Sequence, residues 1–196
     1  FHLLLPMIEE FYQLGCLTQL RFTHHTLSGS WEQLTQNDAD IILGAINEPP
    51  TSAAWSYKML GTMDNVFVVA PDHPLASASE DLTNEQLCLH RAIVISDSAR
   101  FCHPLKSNLM DEQPQTRVDD FHSKVTLLRA GVGCGFLPRH IASPLLATGE
   151  LVEKSVISFR QTDVAYMAWR NGHDGLAQRW WRETLLTSTA ITGLYQ

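Results

Sequence analysis

The chain has 196 residues, of which 44% are hydrophobic and 18% charged, a balance that suits one folded domain or two small lobes and excludes a disordered segment. Its net charge of −7, from 14 basic and 21 acidic side chains, repels phosphate and excludes these residues as a nucleic-acid surface by themselves. No apolar run reaches the about 18 residues of a membrane-spanning helix, and residues 1–5 are too short for a signal peptide.

Residues 3–14 read as an amphipathic helix, with Leu4, Ile8, Phe11 and Tyr12 on one stripe and Pro6 in the first turn. Residues 20–25 are a strand candidate. Ser30 and Gln33 have the spacing of a capping box that opens a short helix to about Asn37. An apolar strand follows at 41–45, then a loop at 47–53 holding Pro49 and Pro50. Trp55, Tyr57 and Met59 alternate and 66–70 is continuously apolar, so two strands are expected there. Thr83 and Gln86 repeat the capping-box spacing before a strand at 92–96. Pro104 argues against a long helix within 97–114, and 116–118 reads as a strand.

The stretch VTLLRAGVGCGFLPRHI, residues 125–141, has a definite order. Val125, Leu127, Leu128 and Val132 share one side of a helix, and Gly131 is placed to end it in the left-handed region. A buried strand at 134–137 and a helix opening on Pro138 come next. Strands at 151–157 and 164–169 precede a last helix carrying Leu176, Trp180, Trp181 and Leu185, with Asp174 as its cap. Strands alternating with helices predict an α/β chain with largely parallel sheets.

Gly131, Gly133 and Gly135 do not make a phosphate cradle, which needs a strand before the glycines and a helix opening on them. No nucleophile elbow is present, and Cys102 and His103 are adjacent, where catalytic geometry is seldom held. His24 and His25 would point to opposite faces of a strand, and no His-x-x-x-His or Glu-x-x-His spacing occurs. Neither catalysis nor a metal or cofactor is expected. Cys16, Cys88, Cys102 and Cys134 show no CxxC; Cys16 and Cys134 read as small core residues, which suits a reducing, cytoplasmic setting.

Small-molecule binding fits better, because ligands in open α/β sheets sit beyond the carboxyl ends of strands, near free helix N-terminal amides. Three stretches have that position. In the first, Ser30 offers a hydroxyl and Trp31 an aromatic face, unless they are an N-cap and a core residue. In the second, 96–101, Asp97, Ser98 and Phe101 flank Arg100, which could grip a carboxylate or amide unless it pairs with Asp97. In the third, 119–123, Asp120 and Phe121 precede the 125–130 helix, where acids also suit the helix dipole.

Three segments in order carry a family resemblance: NDADIILGA at 37–45, DNVFVVAPDHPLA at 64–76 and LRAGVGCGFLP at 128–138. Together they resemble the effector-binding domain of LysR-type transcriptional regulators. The resemblance implies two Rossmann-like lobes of periplasmic-binding-protein-like (type 2) plan, joined by two crossover strands near 71–76 and 160–164. Residues 1–72 and 163–196 would form the first lobe and 73–162 the second. The family's first strand would precede residue 3, leaving the cleft partly open, and its N-terminal helix-turn-helix would lie outside this chain. A small-molecule effector, no enzymatic activity and a homodimer follow as expectations, with helix 3–14 of one subunit on helix 123–130 of the other and a homotetramer for the full-length protein. DNA would be bound only through the absent helix-turn-helix, and no membrane contact is implied. The segments SGSW and DSAR look most like the branch controlling allantoin and purine utilisation, in which Trp31 and Phe101 would stack on a planar ligand while Asp97, Arg100 and Asp120 read its polar edge. A transporter's solute-binding protein shares the hinged two-lobe plan and is the rival expectation.

Overall fold

The computed structural model describes residues 1–101, 113–157, 162–172 and 175–195. A 3₁₀ turn leads into helix α1 (Leu5–Gln13), with Pro6 in its first turn and Met7 and Phe11, four residues apart, buried. Helix α2 (Ser28–Thr35), strand β1 (Ile41–Ile46) and strand β2 (Trp55–Val69) follow. A second set comprises α3 (Asn84–Cys88), β3 (Ala92–Ile95), β4 (Gln115–Val118), α4 (Phe121–Arg129), β5 (Gly135–Pro138), α5 (Arg139–Ala147) and β6 (Val152–Lys154). Strand β7 (Thr162–Arg170) and helices α6 (Leu176–Thr187) and α7 (Thr189–Thr192) complete the order.

The two strands expected around Tyr57 and Phe67 are one, β2, and it changes partner partway along. Trp55 to Asp64 pair with β7, whereas Asn65 to Val68 pair with β5 and Phe67 to Val69 with β6. This changeover carries the chain from the first lobe to the second, earlier than the 71–76 crossing expected from sequence. Two cross-strand hydrogen bonds pin it: Thr162 Oγ1 donates to Asp64 at 2.9 Å, and Asn65 Nδ2 to Asp163 at 2.8 Å.

Largely parallel sheets were expected, but β1, β2, β5, β6 and β7 pair antiparallel in the order β1-β7-β2-β5, with β6 also on β2. Strand β2 runs out of the first lobe and β7 runs back, so these two pair antiparallel. Among the described residues, parallel pairing is confined to β3 with β4 and to the bridges Ala92↔Cys134 and Leu82↔Val156.

Side-chain alternation along β2 and β7 divides the core as a period of two requires. In the second lobe, Val66 and Val68 face Ile93, Leu128 and Leu137, and Phe67 and Val69 face Leu82, Leu87 and Cys134 on the opposite side. In the first lobe, Met167 packs with Phe11, Trp181 and Leu185, and its neighbour Ala168 with Trp31, Leu34 and Ile42.

Local chemistry agrees with sequence at two helix ends. Thr83 and Gln86 form the expected reciprocal capping box on α3. Gly131, at φ +69°, ends α4, where its N–H and that of Val132 bond back to Leu128 and Leu127 at 3.1 Å each in a Schellman arrangement. Elsewhere sequence and structure differ. The Ser30–Gln33 capping box is not formed, because α2 begins three residues earlier, with Leu27 as N-cap. Residues 20–25 are not a strand: a strand needs a ladder partner, and among the described residues none pairs with them. Cys134 is buried as expected, but Cys16 is only half-buried, its thiol donating to Thr18. Gly175 is the N-cap of α6; the expected cap Asp174, like Cys102, His103 and Pro104, lies outside the described residues.

Gly61 marks a register shift in β2 at φ +147°, and a Cβ there would overlap the backbone carbonyl of Tyr195. Gly61→Ala is expected to lower stability by about 1–3 kcal/mol in urea unfolding. Gly15→Ala, at φ +73° with no atom within 4 Å of an added Cβ, should lose less.

Candidate functional site

Two short segments, one from each lobe, hold the lobes together beside the β2 changeover. From the first lobe come Thr26 and the opening turn of α2; from the second comes the loop after β3. Asp97 takes the position of a capping ligand on α2: its carboxylate accepts from the amides of Ser28 at 3.3 Å and Gly29 at 3.1 Å, and from the Ser28 hydroxyl. The same carboxylate accepts from its own loop, at Ala99 N, at 2.9 Å. Ser98 Oγ accepts from Thr26 N at 2.9 Å, and Thr26 Oγ1 donates to the Ser96 carbonyl at 2.6 Å. In return Glu32, buried on α2, accepts the amides of Arg100 and Phe101 at 2.9–3.0 Å. Gly29 is required here, since a Cβ would strike Ser98 Oγ and approach Ala99 N to 2.9 Å.

Next to this contact lies a cavity of about 880 Å³ bordered by both lobes. On the first-lobe side, residues 18–27 and the outer edge of β1 wall it; β1 is the end strand of its sheet path. His25, Gln178 and Trp181 line this part, and each carries a buried polar atom with no hydrogen-bond partner among the described residues. Such atoms are costly unless an occupant satisfies them. On the second-lobe side the wall includes the apolar Ile93, Phe121 and Ile141, with Gly135 and the polar Gln113, Lys124 and His140.

Of the eight residues singled out from sequence, Ser30 and Phe121 line this cavity. Trp31 does not: it is 4% exposed, packs with Leu34, Ile42 and Ala168, and donates Nε1–H to the Ile46 carbonyl at 3.0 Å. Asp97 and Ser98 are engaged across the lobes as described. Arg100 and Phe101 reach solvent, Phe101 being 78% exposed, and are held by their backbone amides. Asp120 is the N-cap of α4, accepting from Ser123 N and Oγ at 2.8 Å each. Those bonds hold its carboxyl below the usual carboxylate range.

Lys124 is the residue that sequence reasoning missed. It sits one turn into α4, between Phe121 and Leu128, where the helical stripe calls for an apolar side chain. It is 6% exposed, and among the described residues its ammonium makes no hydrogen bond or ion pair. Its chain lies over Gly135, whose Cβ, if present, would be 3.5 Å from Cε and 3.7 Å from Nζ. Burial pulls its pKa down to about 8, and burial pushes the neighbouring Cys134 thiol up to about 12. The available signal was a lysine at a core position of the helical stripe. Among the described residues no group of three His, Cys, Asp or Glu side chains is placed to hold a metal.

Residues 1–190 match the family model described as the LysR substrate binding domain. The uncharacterized HTH-type transcriptional regulator YeeY of Escherichia coli (strain K12) is 43% identical over 195 residues, covering 100% of this chain and 63% of the relative. The HTH-type transcriptional activator AllS of Klebsiella pneumoniae is 33% identical over 135 residues, 69% of this chain and 50% of the relative. The chain thus spans less than two thirds of the length of these relatives. Among solved structures, the regulatory domain of CcmR from Synechocystis, in complex with 2-PG, superposes with a TM-score of 0.64 at 16% identity, covering 94% of this chain and 88% of that one.

The depressed Lys124 pKa has a stability consequence whose sign is fixed by linkage. Between about 8 and 10.5 the unfolded chain holds a proton that the folded chain has released, so wild-type stability rises with pH through that window. Below it the full burial cost, about 3 kcal/mol, is present. Lys124→Met is therefore expected to be more stable than wild type at pH 7 by up to that amount, with the gap closing as pH approaches 10.5, read by denaturant unfolding of both proteins across pH.

Proposed function

The chain belongs to the LysR substrate binding domain family, and from that we propose that it is the effector-sensing domain of a transcriptional regulator, binding a small molecule between its lobes. The observation that carries this reading is the cavity of about 880 Å³ bordered by both lobes, a size that holds small organic ligands. Relatives named as transcriptional regulators favour it over a transporter's solute-binding protein. No catalytic step is part of this reading.

In this mechanism the ligand acts by differential affinity for two inter-lobe angles. The closed angle is stabilised by Asp97 on the α2 amides and by Glu32 on the amides of Arg100 and Phe101. Opening would break both sets together, which makes the lobes a two-state element. Ser30 and Phe121 are the contacts proposed inside the cavity. Asp97, Ser98, Arg100, Phe101 and Asp120 are assigned to its rim, and Trp31 holds α2 from the core side. The change in angle would be transmitted through a homodimer, α1 of one subunit against α4 of the other, to helix-turn-helix heads in the whole regulator, a cytoplasmic protein that touches DNA only there. Support for the dimer contact comes from exposed Leu5 and Tyr12 on α1 and Leu14 and Leu17 just after it. No helix among the described residues is long and apolar enough to cross a membrane.

Thermal unfolding of this chain against purines, ureides, small carboxylates and hydroxylated aromatics is the test. One class should stabilise it saturably, by about 2.7 kcal/mol at a hundred times the dissociation constant; a panel without effect counts against the sensor. Light scattering at micromolar concentration should give a dimer, and a monomer would remove the α1–α4 contact.

A further inference from the structure

We propose that the effector carries an anionic group, a carboxylate, and that Lys124 receives it in the second-lobe part of the cavity. This deepens the effector-sensing reading and rests on it. Lys124 is buried on α4 and lines the cavity, and no described residue gives its ammonium a hydrogen bond or an ion pair. A buried cation left unpaired is among the more unfavourable arrangements in a folded protein, and a charged partner relieves it.

Among the described residues the surroundings offer no internal partner. On the same helix, Asp120 is committed to Ser123 and His122 is exposed. From the β5 side comes Cys134, whose thiol burial keeps protonated, and from α5 comes His140, whose protonation burial disfavours. The strand opposite contributes Ile93, fully buried.

The same surroundings select the ligand. One ammonium with apolar walls of Ile93, Phe121 and Ile141 matches a single negative charge borne on a hydrophobic body. A phosphate dianion would need several donors converging on it, and among the described residues those are not assembled around Lys124. Gly135 borders the lysine's end: an added Cβ would lie in ordinary contact with Cε and Nζ, at 3.5 and 3.7 Å, but would press on the Ile93 carbonyl at 2.8 Å.

The test compares propionate, butyrate and benzoate with their neutral amides at constant ionic strength, by thermal unfolding of wild type, Lys124→Met and Lys124→Arg. At least one acid should stabilise wild type saturably, with its amide weaker by at least about tenfold in affinity. Lys124→Met should abolish that preference while unfolding cooperatively without ligand, and Lys124→Arg should keep part of it. The inference is overturned if acid and amide stabilise alike, if Lys124→Met binds the acid as wild type does, or if no acid stabilises wild type at tens of millimolar. The sensor reading fails separately. Amides or other neutral compounds that bind wild type and Lys124→Met equally would leave a sensor whose ligand ignores Lys124, and only a wholly silent broad panel would count against both.

Discussion

One strand belongs to two lobes, and the rest of the molecule is arranged around that sharing. Strand β2 is hydrogen-bonded to β7 up to Asp64 and to β5 and β6 from Asn65 onward, so the lobes are covalently continuous while their cores are separate. The bonds of Asp64 with Thr162 and of Asn65 with Asp163 tie β2 to β7 at the point where the partner changes. In the proposed mechanism, a change of inter-lobe angle would be absorbed near these residues. The cavity lies at this junction because neither core extends across it.

Charge placement around the junction follows one rule with one exception. Asp97 and Glu32 are each satisfied by backbone amides from the opposite lobe, and Asp120 by Ser123 in its own helix. Such bonds to an ionised group are strong and directional. They serve as inter-lobe clasps in the first two cases and as a helix cap in the third. Lys124 is the exception, an ammonium carried into an apolar wall without a counterion among the described residues. The contrast separates groups that hold the architecture from a group open to an incoming partner.

Much of the fold was legible in local pattern. The Gly131 helix stop, the Thr83 capping box, the burial of Phe11 and the order of helix, turn, strand and helix through residues 121–147 each depend on residues a few positions apart. The candidate site was less legible. The loop after β3 and the start of α2 were expected to face a ligand, and in the structure they face each other: the amides of α2 already have a carboxylate, and it is Asp97. Trp31 shows the same limit, since an aromatic after a glycine and a serine reads alike whether it turns to a cleft or, as here, to Ala168 and the Ile46 carbonyl.

What the sequence by itself determined is what short-range chemistry dictates: segment boundaries, caps, the apolar stripes, and three motifs sufficient to resemble a family. Tertiary structure alone decided that two expected strands are one, that residues 20–25 do not join a ladder, and that the main sheet is antiparallel. It also decided which carboxylates are occupied and that, among the described residues, Lys124 has no partner. The physical reason is common to all of these. Strand pairing and charge pairing are relations between residues distant in sequence, such as Ser28 and Asp97, 69 positions apart. A side chain's own identity states what it can bind, and only the folded neighbourhood determines whether it is bound already.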